Sequence, residues 1–175
     1  MDCSKRLPSL DIGPVRIDDP VILAPMSGVT DMPFRTLVRR YGSGLNVTEM
    51  IASPAMIRET RQSLQKAAWH GSEEPVSLQL AGCSPAEMAE AARLNEDRGA
   101  AIIDINFGCP VKKVVRRNGG SGCLKDLDLV QEIIRAVVSG THLPVTCKIR
   151  SGWSEEMRDP VAIGLRCQDA GVKLD

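Results

Sequence analysis

The chain has 175 residues, 43% of them hydrophobic, and its 22 basic and 22 acidic side chains leave no net charge. That length suits one domain, and the charge balance excludes a global field drawing the chain to nucleic acid or membrane, so any basic site has to be local. No apolar run approaches the roughly 20 residues of a membrane helix, and none follows Met1–Arg6, so the sequence reads as having no signal peptide and as cytoplasmic.

Short apolar runs alternate with longer stretches of helical period. The runs are Val21–Ala24, Leu45–Thr48, Val76–Leu80, Ala101–Ile105 and Val145–Ile149. Each is short and partly β-branched, as a strand buried in a parallel sheet is. After the first run, Phe34, Leu37, Val38 and Tyr41 fall at i, i+3, i+4 and i+7, which predicts a helix with one buried stripe. Ser53-Pro54, Ser84-Pro85 and Asp159-Pro160 each place a capping side chain before a proline, and Ser84 with Glu87 fits a capping box. Val130, Ile133, Ile134 and Val137 form a second stripe. Gly42, Gly71, Gly99, Gly140 and Gly171 follow helical stretches, where a left-handed residue is wanted. Strand and helix alternating with one polarity predict an α/β fold with a parallel sheet: five strands, five helices and a sixth strand beginning at Val172-Lys173-Leu174. The one long loop runs from Pro110 to about Leu124.

In parallel α/β architectures ligands bind at the C-terminal ends of strands. The unusual residues collect there: Ala24-Pro25-Met26-Ser27, Thr48-Glu49-Met50, Gln79-Leu80-Ala81-Gly82, Asn106–Pro110 and Lys148–Gly152. Lys148 lies inside an apolar strand, on one face with Thr146 and Arg150. A buried ammonium there needs an anionic partner: a bound cofactor or substrate, or an internal ion pair with Asp104 or Glu49. Gln79, between two leucines, suits the edge of a heterocycle or a backbone group at the sheet rim, and Asn106 reads the same way.

Six cysteines are present: Cys3, Cys83, Cys109, Cys123, Cys147 and Cys167. No two form a Cys-x-x-Cys pair, and with only His70 and His142 beside them no metal site is expected. Cys109 stands apart, between Gly108 and Pro110 at a strand end. It reads as a nucleophile, a proton donor or an inert buried thiol; an ordinary thiol is mostly protonated at neutral pH and so can act as a general acid. Lys112, Lys113, Arg116 and Arg117 follow it, a basic segment suited to a phosphate-rich substrate or simply a solvated loop. The glycines of Asn118–Gly122 suggest a mobile flap and match neither a P-loop nor a dinucleotide fingerprint. Aromatic residues make up 3% of the chain, so base-stacking platforms are not a first expectation.

Ala24-Pro25-Met26-Ser27-Gly28-Val29-Thr30-Asp31, Thr48-Glu49-Met50, Gln79–Gly82, Asp104–Pro110 and Lys148–Trp153, in this order and spacing, resemble the tRNA-dihydrouridine synthases, most closely the bacterial B-type branch. The resemblance implies an FMN-binding TIM (β/α)8-type barrel followed by a small helical domain that grips tRNA. It further implies reduction of a tRNA uridine to 5,6-dihydrouridine with NADPH as reductant: hydride arrives at C6 from the flavin, and a cysteine protonates C5. Carried over, Pro25, Met26, Ser27, Gln79 and Lys148 would contact the flavin, Asn106 the uridine or the flavin, and Cys109 would be the proton donor. Lys112, Lys113, Arg116 and Arg117 would hold the tRNA backbone. The loop Arg117–Cys123 has more glycine than the B-type branch leads one to expect. The family's sixth-strand histidine motif, last strands and helical domain have no counterpart in residues 1–175, so the expected fold is a barrel truncated after about five βα units. Two other readings stay open: a Schiff-base lyase using Lys148, and an inactive fragment with at most weak RNA binding.

Overall fold

The computed structural model of the chain describes residues 8–116 and 118–173, with the side chain of Lys113 also outside the description. Cys3, Arg117 and Leu174 therefore lie outside the described residues.

All five expected strands form. They are β3 (Ile22–Leu23), β4 (Leu45–Val47), β6 (Val76–Ala81), β7 (Ile102–Asn106) and β8 (Val145–Lys148), preceded by a hairpin of β1 (Leu10–Ile12) and β2 (Val15–Ile17). A further short strand, β5 (Ile51–Ala52), pairs with β6. The main sheet is parallel, in the order β3-β4-β6-β7-β8, and it curls. Beyond β8 the Lys173 amide donates to Val145 O at 2.8 Å, so the chain returns to the outer edge of β8 where a sixth strand was expected to begin.

The two faces of the sheet differ in chemistry because strand side chains alternate. The outer face (Leu78, Leu80, Ile103, Ile105 and Val145) packs in one buried cluster with residues of three helices: Met88, Ala91 and Ala92 from α4 (Pro85–Glu96), Val130, Ile133, Ile134 and Val137 from α6 (Leu127–Gly140), and Ile163 and Cys167 from α7 (Pro160–Asp169). The stripe read from the α6 sequence is thus fully buried. The inner face is apolar only at its N-terminal end, where Ile12 and Ile17 of the hairpin cover Leu45 and Ile102. The hairpin was not read from the sequence, although two alternating triplets flank Gly13-Pro14, and Gly13 takes φ +57° at the turn.

Helix α1 (Met32–Arg40) departs from expectation. Leu37 is exposed and Tyr41 is 85% exposed, so the predicted stripe is not buried. The buried residue of α1 is Arg35, at 1% exposure. Its guanidinium donates to Glu73 Oε2 at 2.7 Å, to Thr30 O at 2.9 Å and to Ala68 O at 2.8 Å, while Glu73 Oε1 accepts from the His70 amide at 2.9 Å. A buried charge persists only when paired and hydrogen-bonded. Satisfying Arg35 and Glu73 together decides which side of α1 faces in, over the apolar periodicity.

Local signals hold in part. Ser84 and Asp159 cap α4 and α7, accepting from Glu87 N and Ala162 N, though the return bond of the Ser84 capping box is not formed. Ser53 is not a cap: it is the first residue of α2 (Ser53–Ile57), and its buried hydroxyl has no partner. The helical stretch after it splits into α2 and α3 (Arg61–Ala67) at Glu59, which takes φ +48°. Gly42, Gly99 and Gly171 do adopt positive φ, whereas Gly71 opens a 3₁₀ turn and Gly140 is the last residue of α6.

Replacing Arg35 with Ala leaves the Glu73 carboxylate buried without its cation. The expected loss is about 3–5 kcal/mol, read as a lower urea midpoint with an unchanged slope; a loss below about 1 kcal/mol would show that the pair does not organise α1.

Candidate active site

The inner face turns polar toward the C-terminal ends of the strands. The register places Gln79, Asp104 and Thr146 in one row across β6, β7 and β8, with Asn106 and Lys148 in the next. The rows are wired together. Gln79 Nε2 donates to Asp104 Oδ2 at 2.6 Å, Thr146 Oγ1 donates to Asp104 Oδ1 at 2.7 Å, and Asn106 Nδ2 donates to Gln79 Oε1 at 2.8 Å. Asn106 Oδ1 then accepts the amides of Gly108 at 3.1 Å and Cys109 at 2.8 Å, which turns the chain sharply out of β7.

Gln79 and Asn106 therefore sit side by side, both buried, and each is already bonded to its neighbours, with one Gln79 N–H outside these bonds. Asp104, read only as a partner for Lys148, is the hub. Burial raises its carboxyl above the ordinary value of 3.8; the bonds from Gln79 and Thr146 and the nearby Lys148 pull the other way and are outweighed.

Lys148 corrects an expectation. It is exposed, not buried, and it makes no ion pair with Asp104 or Glu49. It is the last residue of β8, at the rim rather than in the interior. Glu49 has another task. Between the pairs Val47–Ser77 and Ile51–Leu80, the β4–β5 segment takes four steps to the three of β6, a bulge of one residue. Thr48 Oγ1 fills the gap by accepting the Gln79 amide at 3.1 Å, and the carboxylate of Glu49 accepts the Gly28 amide.

That bond holds the loop carrying Pro25, Met26 and Ser27. The loop is a tight turn: Met26 O accepts the amides of Val29 and Thr30, each at 3.0 Å, and Thr30 Oγ1 accepts the Met26 amide at 3.0 Å. Arg35 grips Thr30 O from below. Met26 and Ser27 are exposed and Pro25 is half-buried, so the turn presents its surface outward.

Cys109 is half-buried, and its carbonyl is held as well as its amide: Ser121 donates to Cys109 O through both N and Oγ, each at 3.0 Å. The loop beyond is not a flap. It contains α5 (Lys112–Val115) and a 3₁₀ helix (Gly120–Lys125), and residues 119–124 are buried. Its glycines are required by packing. Gly120 takes φ +56°, and a Cβ there would stand 2.7 Å from Cys109 O. The other described cysteines belong elsewhere. Burial pushes the Cys123 thiol up to about 12, and the bond to Cys167, together with burial, pushes Cys147 up on the helix-covered face.

Lys112 and Arg116 are exposed and line a cleft of about 370 Å³ with Pro110, Val115, Ser121, Arg150 and Trp153. The last two were not picked out as contacts from their local sequence. Arg150 Nε donates to Gly108 O at 2.6 Å, which ties the segment after β8 to the Cys109 turn.

Residues 22–174 match the dihydrouridine synthase (Dus) family. The chain belongs to that family. It is 48% identical over 166 residues to a probable tRNA-dihydrouridine synthase of Rickettsia prowazekii, covering 94% of this chain and 51% of the relative. It is 48% identical over 163 residues to tRNA-dihydrouridine synthase B of Xanthomonas campestris and 47% identical over 162 residues to that of Pseudomonas aeruginosa, in each case covering 93% of this chain and 49% of the relative. The chain thus spans about half the length of the curated relatives it matches.

Two predictions follow from the geometry. Gly120→Ala forces a Cβ into a left-handed residue and against Cys109 O, and is expected to cost roughly 1–3 kcal/mol, measured by urea unfolding. A fully stable variant would mean that the Cys109 carbonyl is not clamped. Asp104, whose folded-state pKa is raised, contributes stability that is fully present below its unfolded value and is lost as pH rises through the folded value. Asp104→Asn keeps an acceptor for Gln79 and can donate to Thr146, so the variant should gain on the parent protein as pH rises above about 4, read from urea midpoints across pH 3 to 8. Parallel pH profiles would refute the assignment.

Proposed function

We propose that residues 1–175 form the N-terminal part of an FMN-binding (β/α)8 barrel with the chemistry of a tRNA-dihydrouridine synthase: reduction of uridine in tRNA to 5,6-dihydrouridine, with NADPH as the reductant. The observation that carries this reading is the fixing of Cys109. Its amide is held by Asn106 and its carbonyl by Ser121, so a half-buried thiol stands at the C-terminal rim of a parallel sheet, where such folds bind ligands. Family membership and the names of the relatives support the substrate. The Lys173–Val145 bond at the edge of β8 supports further strands beyond it.

The residues present suit a flavin ring. Among the described residues Lys148 is an ammonium with no carboxylate partner at the rim, beside Asn106 in the register, and Met26 leaves apolar surface exposed on the first turn. FMN, when bound, would supply the hydride delivered to C6 of the uridine. Lys148 would face the side of the ring that gains negative charge, Gln79 would bond its edge with the N–H left free, and Pro25, Met26 and Ser27 would pack against it. Asn106 would keep the Cys109 turn in place beside the base. Hydride at C6 leaves an enolate-like charge that a proton at C5 removes. The Cys109 S–H is that donor, and a protonated thiol is the form the step needs. The uridine leaves its stack to reach the site, while Lys112, Lys113, Arg116 and Arg117 hold the phosphates on either side.

The purified chain should show visible flavin absorbance after addition of FMN and gel filtration. In the flavin-loaded chain, Cys109→Ala should slow uridine reduction in tRNA by about 10²–10⁴-fold while retaining the flavin bands. A colourless chain would refute cofactor binding by these residues; a flavin-loaded Cys109→Ala chain as fast as the parent would refute the proton-donor role.

A further inference from the structure

The cleft beside Cys109 combines features that no catalytic step requires. Four cations are gathered here: Lys112, Arg116 and Arg150 line the cleft with Trp153, and Lys125 Nζ lies over the Trp153 ring, 4.4 Å from its centroid. Among the described residues none of the four is paired with a carboxylate, in a chain whose total charge is zero. Trp153 is 37% exposed, so its ring offers surface to an occupant. The volume, about 370 Å³, lies within the range of small-ligand clefts. Pro110 follows Cys109 directly, and Ser121 is bonded to the Cys109 carbonyl, so whatever fills the cleft sits next to the Cys109 turn.

Phosphate needs cations, a base needs an aromatic face, and one nucleotide unit uses both. We propose that this cleft is a subsite for a single unpaired nucleotide of the RNA strand, the neighbour of the base presented to Cys109, with its base stacked on Trp153 and its phosphate held by Lys112, Arg116 and Arg150. The proposal rests on the reading of Cys109 as the reacting group at an RNA base. It adds what holds the strand on one side of that base. Arg150 links the two places, because its Nε is committed to Gly108 O in the Cys109 turn while its remaining N–H groups are left for an anion. Among the described residues Trp153 is the only aromatic one lining the cleft, so the stacking part of the subsite depends on one side chain.

The test is binding of fluorescein-labelled hexauridylate, and of an abasic ribose-phosphate hexamer, to the whole chain, read by anisotropy. Trp153→Ala should weaken hexauridylate roughly five- to a hundredfold and leave the abasic hexamer unchanged, and Trp153→Phe should recover most of the loss. Lys112→Gln and Arg116→Gln should each lower the slope of log K against log salt by about 0.7 for both probes. Equal urea midpoints for parent and variants exclude a folding effect. Hexauridylate binding that is indifferent to Trp153, or an equal loss with the abasic hexamer, overturns the stacking subsite; unchanged salt slopes overturn the phosphate contacts. Because RNA binding here does not need the flavin, the two readings fail separately. A chain without flavin that keeps Trp153-dependent binding leaves the subsite standing, and a flavin-loaded chain that reduces uridine without it leaves only the function.

Discussion

The carboxamide of Asn106 is the interaction on which the site depends. It donates to Gln79 on the neighbouring strand and accepts the amides of Gly108 and Cys109 beyond its own. Gln79 passes the connection to Asp104, and Asp104 to Thr146, so a line of hydrogen bonds crosses three strands and ends on the backbone of Cys109. The line exists only in one register. A slip of one residue in β7 would turn Ile103 and Ile105 inward and Asp104 and Asn106 into the apolar helix-packed layer, at a cost no other contact offsets. The hydrophobic outer face therefore fixes the position of Cys109 indirectly, by fixing the register.

The first loop is held by a different device. Its turn is closed by Met26 and Thr30, tied to the sheet by Glu49 and anchored by Arg35, which is itself neutralised by Glu73. Buried ion pairs are poor sources of net stability against an apolar replacement, but they allow few geometries. The division of labour follows: apolar packing under the hairpin and helices supplies stability at one end and on one face, and satisfied polar groups supply precision at the other end. The same separation is general in barrels of parallel strands, where the C-terminal face carries the chemistry.

Strand positions were legible in the sequence because a parallel strand buried on both faces is a short apolar run, and all five runs became strands within a residue or two. The α6 stripe was legible for the same reason. The α1 stripe misled because periodicity does not register a charge that finds its counter-ion far along the chain: Arg35 and Glu73 are 38 residues apart. The strand-end motifs fall along one rim of the sheet, where Gln79, Asn106 and the Cys109 amide are linked. The role of Lys148 as a buried cation was misjudged because alternation tells which face a residue shares but not how near the rim it stands. The glycines of 119–122 suggested mobility because glycine signals both freedom and close approach, and only the contacts of Gly120 with Cys109 distinguish the two. Ser121 gave no local signal, and Thr146 and Glu49 were noted individually only in relation to Lys148; what each of the three holds arises from pairings across strands and loops.

Charge shows the same limit of composition. The chain is neutral overall, yet several of its surface carboxylates are paired locally: Glu90 and Asp97 with Arg93, Glu59 with Arg98, Glu155 with Arg158 and Asp128 with Arg166. Lys112, Arg116 and Arg150 line one cleft, and Lys125 lies over the Trp153 ring at its side, without such partners among the described residues. At physiological ionic strength the field of exposed charges fades over about 8 Å, so this patch cannot steer a polyanion from afar. In the proposed subsite it would act on a phosphate already at the cleft. Recognition by such a surface comes from contact, which favours a strand whose unpaired nucleotide can enter beside Cys109 over the smooth backbone of a duplex.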